Sequence, residues 1–85
     1  MTDTLLPILL AHKLRFVAMV LDTVDPDGPM TESTRINLAG EATGHHQSTV
    51  AALLQVMPAV PHATTRTEYA QALRDTATQT EGGAL

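Results

Sequence analysis

Three features of the sequence predict an all-α fold, a small bundle of three helices, or of four if the middle region breaks at Gly44. Apolar residues recur at alternating spacings of four and three from Leu10 to Val24, and a similar repeat runs from Ile36 to Met57. That is the period of a helix. The turn-forming prolines fall between the runs, at Pro26, Pro29, Pro58 and Pro61. No stretch of useful length alternates apolar and polar residues as a half-buried strand does.

The first helix has Thr4 as a candidate cap and Pro7 in its first turn, where the missing N–H does no harm. Leu10, Leu14, Val17, Leu21 and Val24 form its seam, and Leu9, Phe16 and Val20 widen it beyond one face. A helix apolar over so much of its circumference is central, or is covered by a partner. Leu9, Leu10, Leu14, Phe16, Val17, Val20 and Leu21 are therefore the expected oligomer face. His12, Lys13 and Arg15 lie in the middle of this run, where charge is costly in a membrane. No basic stretch precedes it, as a secretory signal requires. The expectation is a cytoplasmic helix with no membrane partner.

Asp25-Pro26-Asp27-Gly28-Pro29 ends the first helix, because Pro26 biases Asp25 away from the α region. With Gly28 in the glycine position of a calcium loop, Thr23 and Thr34 would stand where that loop needs Asp and Glu, so calcium is not expected. Thr31 or Ser33 can cap the next helix. Ile36, Ala39, Thr43, His46, Val50, Leu53 and Met57 then fall on a three-four repeat. Gly40 and Gly44 lie one turn apart inside it, and each costs about 1 kcal/mol in a helix relative to Ala. That cost points to close helix packing or to a break. Thr65-Arg66-Thr67-Glu68 fits a capping box and starts the last helix, with Tyr69 and Leu73 on its apolar face. Residues 1–80 read as one helical domain, and Thr78 onward as a fraying end, with 81–85 a flexible tail.

Composition narrows the function classes. The chain has 85 residues, with one Phe, one Tyr and no Trp, so its core is thin. A second copy or another protein would supply further burial. The net charge is −4, and the five cations, Lys13, Arg15, Arg35, Arg66 and Arg74, are dispersed, which argues against a general polyanion binder. There is no Cys, so disulfides and thiolate metal sites are excluded.

One stretch bears a resemblance. In Leu38–Leu54, Gly40 stands four residues before Gly44, Val50 six after it, and Leu53 three beyond that. With the Ser48-Thr49-Val50 run, this resembles the helix-turn-helix of bacterial repressors, of the lactose-repressor and phage-repressor type. The resemblance implies a turn at Gly44, with Gln47, Ser48 and Thr49 facing base edges and His46 near the DNA backbone. His45 stands where that module usually carries a buried aliphatic residue. Ala51 and Ala52 stand where it often carries Ser and Arg, so the reading helix has no cation.

Other chemistry finds less. Glu41 and His45 lie one turn apart on a continuous helix, but no third metal ligand is placed by sequence. Ser33 follows Glu32 and precedes Thr34, unlike the Asp-Ser-Leu of carrier proteins, and reads as a helix-start residue. No spacing joins Ser, His and Asp into a catalytic set. The expectation is a non-enzymatic interaction or regulatory protein without cofactor or metal, acting through protein contacts as a homodimer. The alternative is a helix-turn-helix DNA-binding transcriptional regulator.

Overall fold

A computed structural model describes residues 5–82. They form four helices: α1 (Leu5–Thr23), α2 (Glu32–Thr43), α3 (Gln47–Val56) and α4 (Arg66–Gly82). The middle region breaks at Gly44, so the four-helix alternative holds. Thr4, the candidate first cap, lies outside the described residues.

Helices α1 and α4 make the most extensive contact, and they run antiparallel. Asp22 near the end of α1 accepts a hydrogen bond from Thr67 in the first turn of α4 (2.6 Å), while Arg15 reaches Glu81 near the other end (2.7 Å). The α1 seam supplies Leu10, Leu14, Val17 and Leu21 to the core, and α4 supplies Tyr69, Ala70, Leu73 and Ala77. Leu14, Leu21, Leu53 and Leu73 are closed to solvent. Burying such a side chain contributes roughly 1.5–3 kcal/mol relative to leaving it exposed. Helices α2 and α3 pack across α1 and complete the core with Leu38, Ala39, Leu53 and Met57.

The two long connections are tied together. The Met30 N–H donates to the Thr64 carbonyl (3.0 Å), and the Arg66 and Thr67 N–H groups donate to the carbonyls of Gly28 (2.9 Å) and Pro26 (3.0 Å). The α1–α2 loop therefore satisfies two of the amides that the first turn of α4 cannot pair internally. The capping box is formed: Glu68 accepts from the Thr65 N–H (2.8 Å) and Thr65 Oγ1 accepts from the Glu68 N–H (3.1 Å). Thr31, rather than Ser33, caps α2, accepting from the Thr34 N–H (3.1 Å).

Two sequence expectations are corrected. Thr78–Gly82 is not frayed but is the last turn of α4, held by buried Ala77 and the Arg15–Glu81 ion pair; residues 83–85 lie outside the described residues. The Ile36–Met57 repeat is not one continuous face. Ala39, Leu53 and Met57 are buried, but Ile36 is 46% exposed on α2, and His46 is exposed at the N-cap of α3, after the turn at Gly44 that resets the helical phase between the two helices.

Candidate interaction surfaces

Six of the eight exposed large apolar side chains among the described residues lie on α1. Its seam residues Leu10, Leu14, Val17 and Leu21 point inward, whereas Val24, expected in the seam, lies just past the end of the helix and is 54% exposed; half a turn from the seam Leu5, Leu9, Phe16 and Met19 point outward, 67%, 43%, 43% and 53% exposed. Ile8 and Leu6 flank them, each 45% exposed, and Val20 is half-buried. The expected oligomer face is thereby divided. Leu10, Leu14, Val17 and Leu21 lie inside the chain's own core, Val20 is half-buried against it, and Leu9 and Phe16 remain outside. Leu5, Ile8 and Met19 join the outer group and were missed in the sequence. For Leu5 and Met19 the signal is a second four-three repeat, Leu5, Leu9, His12, Phe16, Met19 and Thr23, offset from the first; Ile8 falls outside it.

Polar pairs line the junction of α1 with α4. Arg15 donates to Glu81, and this hydrogen bond, more than the opposite charge, holds the Glu81 carboxyl below the ordinary carboxylate range. Asp22 is held low by the hydrogen bond from Thr67 and then by the one from Arg74. The paired carboxylates leave Arg15 and Arg74 with little free positive field.

The second feature is the α2–turn–α3 unit. Helix α2 ends with Gly44 in the left-handed conformation (φ 65°), followed by His45 in the same region (φ 62°). The Gly44 N–H donates to Glu41 O (3.4 Å) and the His45 N–H to Gly40 O (2.8 Å). These bonds close the carbonyls that the helix end exposes. The His45 ring folds back over Gly40, where an added Cβ would lie 2.9 Å from Nδ1. His46 takes the N-cap of α3 without a side-chain cap bond. The four residues singled out for base reading are adjacent at the start of α3: His46, Gln47 and Ser48 are exposed and Thr49 is half-buried. Beside them lies an open groove of about 360 Å³, with Ile36, Val50 and Leu54 as apolar walls and Asn37, His45 and Gln47 as polar groups.

The one arginine in this unit is turned inward. Arg35 Nη2 donates to the carbonyls of Leu54 (2.8 Å) and Met57 (3.4 Å), and Nη1 to Glu32 (2.7 Å). It closes the C-terminal end of α3, a role that no sequence pattern signalled, since the contact spans 19 residues.

Compared with known proteins, the chain matches no family model, no curated protein and no solved structure. The repressor resemblance therefore rests on residues 38–54 alone, and function is read from the chain's own surfaces. Among the described residues no helix is long and apolar enough to cross a membrane.

Proposed function

We propose that the protein is a cytoplasmic, non-enzymatic helical interaction protein that works by self-association through the outer face of α1. The observation that carries this reading is the row Leu5, Leu9, Phe16 and Met19, all at least 43% exposed on the helix that also anchors the core. Exposed apolar residues are ordinary when scattered, but four of them on one helix face, interrupted by His12, are the pattern of an interaction surface. A second copy would turn two α1–α4 pairs into a four-helix arrangement. Sedimentation across the micromolar range tests it: a mass of two chains is expected, and a mass of one chain throughout would overturn it.

A second reading, a helix-turn-helix DNA-binding regulator, is favoured by one observation. Gly44 ends α2 in the left-handed conformation and leaves Gln47 and Ser48 exposed at the start of α3. Against it stands the charge: Arg35 is bound to its own chain's carbonyls, and most contacts to DNA are made to phosphate and sugar. Binding to duplex DNA that weakens steeply with salt would support this reading. Absence of binding at low salt would remove it.

A further inference from the structure

The α2–turn–α3 unit is fastened to the rest of the chain at one end only. The loop before it is tied to the start of α4, through Met30 with Thr64, Gly28 with Arg66 and Pro26 with Thr67. Just after α3, the Pro58 carbonyl accepts from the Tyr69 hydroxyl (2.5 Å), and Arg35 lies beside that ring. From this end α2 runs for about 18 Å to the Gly44 turn, at 1.5 Å per residue. Past Arg35, no hydrogen bond or ion pair joins α2, the turn or α3 to α1 or α4 among the described residues. Apolar packing across α1 holds the unit down, through Leu38, Ala39, Ala42 and Leu53. Two of those four are alanines, which bury little apolar surface.

We propose that α2–turn–α3 is a flap, hinged at the tied loops, that opens as one body while α1 and α4 stay paired. Two observations make it one body. Arg35 binds α2 to the carbonyls of Leu54 and Met57 at the end of α3, and only Gly44, His45 and His46 separate the helices at the other end. The frame it leaves behind is better held. Helices α1 and α4 share the most extensive contact and are fastened near both ends, by Asp22 with Thr67 and Arg74 and by Arg15 with Glu81. Proteins open in contiguous cooperative pieces, and the piece with the fewest buried apolar contacts opens most readily. The hinge positions are the residues between the ties and the helices, Met30–Thr31 before α2 and Met57–Pro58 after α3, since hinges are a few positions at the ends of elements. Open, the flap uncovers Leu38, Ala42 and Leu53, an apolar surface separate from the outer face of α1. The inference does not rest on self-association, because these residues lie inside one chain.

The experiment is native-state amide hydrogen exchange of the full chain, read by NMR, for the native protein and for Ala77→Gly. Ala77 is buried in the half of α4 away from the tied loops. In the native protein the interior amides of α2 and α3 are expected to share one rate, at least ten-fold faster than those of Leu14–Leu21 and Tyr69–Leu73. The amides of Met30, Arg66 and Thr67 are expected to exchange slowly with the frame. Ala77→Gly is expected to speed exchange of the frame about five-fold and to leave α2 and α3 at their native rate. One rate for all four helices, or equal acceleration of all four in Ala77→Gly, overturns the flap. Different rates for α2 and α3 overturn its opening as one body. Fast exchange at Met30, Arg66 and Thr67 overturns the hinge.

Discussion

Gly40 and Gly44 have the same side chain and opposite roles. Gly44 holds φ at 65°, and nothing lies within 4 Å of an added Cβ, so a substitution there meets no clash, only backbone strain. Gly44→Ala is expected to destabilise the fold by about 1–2 kcal/mol. Gly40 is inside α2, and its added Cβ would meet only the ring of exposed His45, which can swing into solvent. Gly40→Ala gains helix propensity of up to about 1 kcal/mol and is expected to be neutral or stabilising. Urea denaturation of the two variants checks the pair, and equal losses would contradict this account of the turn. The sequence placed both glycines in view, but their difference is one of backbone conformation, which glycine tolerates either way. Only the hydrogen bonds of Gly44 and His45 onto Glu41 and Gly40 decide it.

At the scale of elements, the α1–α4 pair is fastened at its rim by carboxylates that stay ionised. Asp22 and Glu81 at that rim, and Glu68 in the capping box of α4, are all held below their ordinary range, by Thr67, Arg15 and the Thr65 amide respectively as the leading cause. The unfolded chain takes up protons at these groups first, so their contribution is present above the ordinary carboxylate range and is lost as pH falls through and below about 4. Thermal unfolding between pH 6 and pH 3 is expected to show a falling midpoint, with a smaller fall in Asp22→Asn. An identical slope in that variant would remove Asp22 from the explanation. Arg35 is the corresponding fastener for α3. Arg35→Ala leaves the Leu54 and Met57 carbonyls without this donor and is expected to cost about 1.5–3 kcal/mol, read by chemical denaturation. The capping box at Thr65 and the Leu10–Leu21 seam were legible because their partners are close in sequence or repeat regularly. The division of α1 into inner and outer faces was not. Leu9 and Leu10 are equally apolar, and which of them faces α4 depends on where α4 packs. The last turn of α4 was misread for the same reason, since Glu81 is held by a residue 66 positions away.

For the whole molecule, we propose that the outer face of α1 is where this protein meets a second copy of itself. The most direct measurement is a series of amide and methyl NMR spectra recorded on dilution at pH 7.5. Self-association through this face is expected to give concentration-dependent shifts at Leu9, His12, Phe16 and Met19, and spectra that do not move at Gln47, Ser48 and Thr49. Spectra independent of concentration, or changes confined to the α2–turn–α3 unit, would contradict it.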